Sequence, residues 1–272
     1  MEKFDLHTHS NMSDGSLTPT EVVKAAHEAG IALLALTDHD CTLGVEEAME
    51  AGRRLAMGIV PGMELDTEYH EELHMLGLGI DVAYPPLKEF MRENARRRQD
   101  RNESILRKLE QAGINIQPYM PLTKGNLTRL HIALALMAGG YAQNIPEAFQ
   151  RYLLRGMPGF VESRRIQPEA AIDLIHRAGG LAVLAHPCKI KGNIPSLIDR
   201  LAKAGLDGLE AFYPTATAGQ RAAHISLARQ YGLLLSAGSD FHGANRANVL
   251  GSAWEDTDLL APIYQRLVEK AY

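Results

Sequence analysis

The chain has 272 residues, a formal charge of −5 and 46% hydrophobic residues, enough for one large domain or one domain carrying an insertion. The acidic balance argues against a general nucleic-acid coat. Only Cys41 and Cys188 occur, far apart, which excludes a disulfide scaffold and a thiolate zinc site and fits a reducing compartment. The start MEKFDLHTHS has no basic flank followed by a long apolar stretch, and no run reaches the roughly 18 apolar residues of a membrane span. A cytoplasmic protein is expected.

The first apolar run, KFDLH (3–7), predicts a strand, and alternation places His7 and His9 on one face at its end. TPTEVVKAAHEAG (18–30) has the punctuation of a helix: a Thr cap, an early Pro and a terminal Gly. Strands follow at ALLALT (32–37), GIVPGMEL (58–65) and ELHMLGLGI (72–80). Residues from about 85 to 160 read almost wholly as helix, at 87–113, 127–140 and 146–156. Strand and helix signals then resume with a helix at 167–180 and strands at LAVLAH (181–186), DGLEAF (207–212) and GLLLSAGSD (232–240). Apolar strands alternating with helices predict a parallel sheet covered by helices. The expected domains are an α/β barrel of residues 1–84 and 160–272, with 85–159 as a helical insertion roofing the site. No Gly-rich phosphate loop is present.

Potential ligands recur at strand ends. His7 and His9 follow the first strand, His39 the second, and Glu64 closes the third. His186 ends LAVL, Asp240 and His242 follow LLLSAG, and His74 lies inside the fourth strand. Parallel α/β folds build active sites at the carboxyl ends of strands. Imidazoles mixed with carboxylates and no thiolates suit Mn²⁺, Fe²⁺ or Zn²⁺. Counting Asp14, these nine candidates exceed one coordination sphere, so two or three ions are expected. Closely spaced ions generate a hydroxide near neutral pH and stabilise both the attacking and leaving oxygens of a phosphoryl transfer.

DLHTHSNMSDG, LTDHD, GMEL, HMLG, LAHP and GSDFH, in this order over residues 5–242, resemble the successive motifs of the PHP family, the polymerase and histidinol phosphatase phosphoesterases. The resemblance implies a distorted (β/α)7 barrel with a trinuclear centre. His7, His9, Glu64 and Asp240 would hold one ion. Glu64 would bridge to a second, held with His74 and His186, while Asp14, His39 and His242 would hold the third. Glu64, Asp240 and His186 would be the catalytic residues. The insertion looks most similar to the stand-alone branch acting on 3′,5′-bisphosphonucleotides such as pAp and on 5′ ends of short RNA. Mn²⁺ is the expected ion, with Zn²⁺ or Fe²⁺ as alternatives.

The other titratable groups read as structural. His27, His176 and His224 fall in helices and His70 in a turn, each expected at the surface or satisfied. Asp5, Asp38 and Asp40 are expected to orient imidazoles from behind. Arg98 and Asn102 interrupt the apolar stripe of the long helix, with Gln99 and Arg101 bordering it, and His131 beside Arg129 interrupts the next. These six are expected to contact substrate, because an inward arginine needs an anion.

The leading expectation is a phosphomonoesterase that converts pAp to AMP and phosphate. The alternatives are a 5′–3′ exonuclease on short oligoribonucleotides, then a histidinol phosphatase, then an amidohydrolase or deaminase. A non-enzymatic scaffold would show eroded ligands, and none is eroded. A nucleotide or short RNA is the expected partner, rather than duplex DNA or a membrane.

Overall fold

The computed structural model describes residues 1–69, 73–121 and 125–271. Their strands form one seven-stranded sheet in chain order: β1 (Phe4–Thr8), β2 (Leu33–Leu36), β3 (Gly58–Thr67), β4 (Leu73–Leu78), β5 (Leu181–Leu184), β6 (Gly208–Phe212) and β7 (Leu234–Ala237). All seven fall where the apolar runs place them. The sheet curls into a nearly closed α/β barrel. At the seam, Asp240 N donates to His7 O (2.9 Å) and His9 N to Phe241 O (2.9 Å).

One strand departs from the all-parallel expectation. β4 runs antiparallel to both β3 and β5, while the other neighbours are parallel. The reason is length. Only residues 68–72 separate β3 from β4, whereas a parallel neighbour needs a crossover of about a dozen residues or more. The reversal brings the start of β4 to the carboxyl ends of the other strands, so His74 pairs with Asp66 near the end of β3. A ligand inside its strand thereby reaches the same rim as those beyond theirs.

Helices cover the barrel. α1 (Pro19–Glu28) starts on a capping box between Thr18 and Glu21, and α2 (Val45–Leu55) packs beside it, burying Val22, Val23, Ala26 and Ala48 with Ile59 of β3. The main core joins strand residues such as Leu6, Val60 and Leu184 to α6 (Pro168–Arg177), α7 (Ile194–Lys203) and α9 (Ala261–Val268) through Ile172, Ile198 and Ile263. α8 (Ala218–Tyr231) begins on a Thr217 capping box and ends at Gly232, whose left-handed φ of 67° terminates the helix. None of the described helices is long and apolar enough to cross a membrane.

Between β4 and β5 lie α3 (Pro85–Gln111), α4 (Arg129–Ala138) and α5 (Ile145–Ala148). They share a separate apolar cluster with Ile105, Leu109, Ile132, Leu136 and Leu153. At 27 residues, α3 spans about 40 Å. The helix expected at 146–156 is split: a π turn occupies Phe149–Leu153, closed by Leu154 N donating to Phe149 O at 3.0 Å. This helical segment is anchored on the rim by Asn126, whose N–H donates to Met12 O (2.8 Å) and whose side chain donates to Asp40 O (2.8 Å). Gly125 is required there, because a Cβ would meet the Met12 backbone at 2.0 Å.

Candidate metal centre

Pleat alternation along β1 aims His7 and His9 into the barrel mouth with their Nε2 atoms 3.1 Å apart. Glu64 Oε2 lies 3.2 Å from each, and Asp240 Oδ1 lies 3.5 and 3.3 Å away. Ring nitrogens this close beside two carboxylates form a set that a cation unites. A second group combines His9, Asp14, His39 and His242, and a third His39, Glu64 and His74; within each the candidate ligand atoms lie within 4.8 Å of one another. His186 Nε2 joins the rim 3.0 Å from Glu64 Oε1. All nine candidates are buried and converge here.

The donors fit a metal on an independent observation. Asp14 Oδ1, Glu64 Oε2, His39 Nδ1, His186 Nδ1 and His242 Nε2 are buried without hydrogen-bond partners. Buried polar atoms are seldom left unsatisfied, and five on the ligand residues themselves fit a cation-binding role.

The backbone is strained at the same place. Asp40, His186 and Asp240 hold positive φ of 46°, 30° and 54°, which non-glycine residues adopt at an energetic cost. For His186 the following Pro187 restricts the backbone further.

Charge is distributed by the surroundings. Burial opposes the charge of His39, but Glu64, Asp14 and Asp66 override it and raise its pKa to about 10, so an ion binding there would displace its second proton. Burial lowers His186 and His242 to about 4, leaving neutral imidazoles suited to metal binding. Burial pushes the Asp240 carboxyl upward, yet His7, His9, His242 and Arg246 hold it well below the usual carboxylate range. Its Oδ2 accepts from Tyr213 OH (2.7 Å), Lys189 Nζ (3.0 Å) and Arg246 Nη1 (3.0 Å), so Oδ1 alone faces the histidines.

Glu210 supplies the outer support for His7. Its Oε1 lies 3.0 Å from His7 Nδ1, and its Oε2 accepts from His186 N at 2.6 Å. A proton held on His7 Nδ1 leaves Nε2 bare toward the centre. Gly238 makes room for this pair: a Cβ would lie 2.3 Å from both Glu210 Oε1 and His7 Cβ. Gly238→Ala should therefore destabilise the fold by about 1–3 kcal/mol, the typical cost of overpacking. Thermal unfolding checks this, and an unchanged melting temperature would show that the seam yields.

The three aspartates expected to orient imidazoles do other work. Asp5 accepts from the backbone of Ser239 (2.9 Å) and Gly251 (2.8 Å). Asp38 holds Ser10 and Ser13 of the Asp14 loop. Asp40 pairs with Arg98. They shape the loops that carry ligands, and the carboxylates nearest the outer imidazole edges are Glu210 and Asp66. Glu210 had a signal, as a charge inside an apolar strand. Asp66, Lys189, Tyr213 and Arg246 had none that periodicity reveals.

The expected substrate contacts separate. Arg98 is buried, but its fork is spent on Asp40 and, through Nη2, on Asp66 (2.7 Å). Asn102 donates to Leu127 O (3.0 Å) and braces the helical segment. Gln99 is exposed and bonded to Glu103, because the buried face of α3 runs through Asn94, Arg98 and Arg101, not its neighbour. His131 Nδ1 accepts from Thr128 N (3.0 Å) and caps α4. Arg98, Arg101 and Arg129 all line a cavity of 480 Å³ with Asp14, His39, His74, Lys189 and Arg246, Arg98 with its fork already spent. Arg101 reaches only Asn102, and no carboxylate among the described residues pairs with it. Burial first, then Arg98 and Arg129, push its pKa down to about 9.

Among the remaining histidines, His27 is exposed and His176 lies 2.7 Å from Asp207. His224 departs from expectation, buried in α8 with Nδ1 unpartnered. His70 lies outside the described residues.

A barrel with a polynuclear ligand set in its mouth and cationic side chains around the adjoining cavity defines a class of hydrolytic metalloenzyme. The PHP domain model matches residues 5–213, and the chain belongs to the PHP family of phosphoesterases. It is 38% identical over 248 residues to a 5′-3′ exoribonuclease of Salmonella typhimurium, covering 88% of this chain and 85% of that one. It is 34% identical to a 3′,5′-nucleoside bisphosphate phosphatase of Chromobacterium violaceum, over 98% of this chain and 97% of the relative. A C. violaceum structure named as an amidohydrolase with bound sulfate and no metal superposes with a TM-score of 0.89 at 33% identity, over 99% and 97% of the two chains.

Proposed function

We propose that this protein is a metal-dependent phosphomonoesterase that removes the 3′-phosphate from nucleoside 3′,5′-bisphosphates, converting pAp to AMP and phosphate. The observation that carries this reading is Arg101, a buried arginine without a carboxylate partner among the described residues, in the wall of the cavity that the candidate ligands open into. It offers an anion site distinct from the metal ligands, as a substrate with two phosphates requires. The C. violaceum relative named for this activity supports it.

In this reading His7, His9, Glu64 and Asp240 hold one ion, Glu64, His74 and His186 a second, and Asp14, His39 and His242 a third. Mn²⁺, or Zn²⁺ or Fe²⁺ in its place, would supply Lewis-acid activation of water and of the phosphoryl oxygens. The chain's own groups do the rest. Glu64 joins two ligand sets through its two oxygens. Asp240 is kept anionic by Tyr213, Lys189 and Arg246, and the two cations face the incoming phosphate from the cavity wall. Arg101 and Arg129 hold the 5′-phosphate. The helical segment, residues 85–159, closes over the barrel mouth and sets specificity.

A second reading, cleavage of short oligoribonucleotides from the 5′ end, is favoured by two adjoining cavities. The smaller, of 260 Å³, shares His39, His74, Lys189 and Arg246 with the larger and so offers a second approach to the centre. The S. typhimurium relative agrees with it.

Phosphate release from pAp, AMP and histidinol phosphate, measured beside mononucleotide release from a 5′-phosphorylated trinucleotide, separates these readings. Turnover of pAp with AMP left intact is expected. Preference for histidinol phosphate, or equal release from AMP, would overturn the assignment. Elemental analysis after reconstitution should find more than one divalent ion per chain, and saturation at one would remove the polynuclear model.

A further inference from the structure

Asp66 lies opposite His74 in the β3–β4 ladder. Its Oδ1 is 3.2 Å from His74 Nε2 and 3.4 Å from His39 Nδ1. Its Oδ2 accepts from Arg98 Nη2 at 2.7 Å, and its backbone N–H donates to Asp40 Oδ1 at 3.2 Å. Arg98 also binds Asp40 through Nε at 2.7 Å, so helix α3 and two strand ends clamp this carboxylate in place.

We propose that Asp66 is a positioning residue that sets the ring tautomers of His39 and His74, and thereby decides which ligand group each histidine serves. An ionised carboxylate only accepts hydrogen bonds, so a ring nitrogen that faces one and does not serve an ion carries the proton. On the ligand assignment above, His74 Nδ1, 2.8 Å from Glu64 Oε1, would serve the ion, which leaves the proton on Nε2 toward Asp66. His39 is protonated at Nδ1 and bare at Nε2, the atom 3.9 Å from Asp14 Oδ2.

The consequence is a division of ligands that distances alone leave open. His39 belongs geometrically to two groups, and its Nδ1 lies 3.1 Å from Glu64 Oε2. With a proton on Nδ1, on the side of Glu64 and Asp66, His39 serves only the group of His9, Asp14 and His242. Glu64 is left to His74 and His186, which approach its Oε1. A carboxylate behind a ligating imidazole fixes its tautomer and raises its basicity. Arg98 holds that carboxylate and so makes the helical segment part of the metal environment. This inference rests on the ligand assignment proposed above.

The test uses the full chain loaded with diamagnetic Zn²⁺ and labelled with ¹⁵N at histidine. Long-range ¹H–¹⁵N spectra should show His74 protonated at Nε2 and His39 at Nδ1. In Asp66→Ala the His39 and His74 ring signals should change, and chelator titration should remove the most weakly held zinc at about 10–100-fold lower chelator concentration. Asp66→Asn keeps the volume and one accepting oxygen, so a smaller change in the same direction is expected, including where the alanine variant folds poorly. Wild-type protein that takes up no zinc would refute the ligand assignment, and this inference with it. Normal zinc uptake with unchanged ring signals and chelator resistance in both variants would overturn this inference alone.

Discussion

Glu64→Ala should lower phosphate release by about 10²–10³-fold or more, the scale on which removal of one preorganised electrostatic group acts. His27→Ala should stay within about twofold, as surface changes do. Glu64 is fully buried, and its two oxygens meet five imidazoles: His74 and His186 at Oε1, and His7, His9 and His39 at Oε2. Those rings come from four chain segments, His7 and His9 together at the end of β1, so one carboxylate ties distant parts of the chain to one point. Its loss should also reduce the metal content, which separates a vanished centre from an intact centre that has lost reactivity. Glu64→Asp, shorter by one methylene, cannot span both sets and should recover only part of the activity. Equal losses in a folded His27→Ala protein would place the chemistry elsewhere.

Arg101→Ala and Arg98→Ala should fail in different ways, although both arginines are buried on the same face of α3. Arg101 has no carboxylate partner among the described residues, and its charge is disfavoured by burial and by neighbouring Arg98 and Arg129. A dianionic phosphate relieves that cost on binding. Losing such a charge-assisted contact costs about 1.5–3 kcal/mol, or roughly ten- to hundredfold in kcat/KM for pAp. An aryl phosphate without a second phosphate should barely notice the change. Arg98 ends on Asp40 and Asp66 and reaches the centre only through them. Its removal should therefore slow both substrates alike. Kinetics of the two variants on the two substrates read this directly. A loss confined to pAp in Arg98→Ala would make Arg98 the clamp and its carboxylates mere companions.

The sequence alone specified the strands and the inward-facing chemistry. Each strand is a short apolar run whose turn residues lie beside it in the chain, and His7, His9, Glu64 and Asp240 break those runs at their ends. Such signals are local: alternation and periodicity state which side chain faces inward, wherever the strand is later placed. The reversal of β4 was also within reach, because the short link after Thr67 admits no crossover. What an inward side chain meets is a different matter. Gln99 and Arg101 differed only in which side of the α3 stripe they bordered, and packing put one in solvent and the other in the cavity.

Only the tertiary structure paired Glu210 with His7 across 203 residues, and Arg98 with Asp40 across 58. An inward arginine reads the same in one dimension whether it awaits a phosphate or already holds a carboxylate. Barrel closure decided which, by bringing Asp40 and Asp66 to Arg98 and leaving Arg101 without either. The physical reason is that facing inward is encoded by neighbours three or four residues away, whereas partnership depends on where distant segments end after the sheet curls shut.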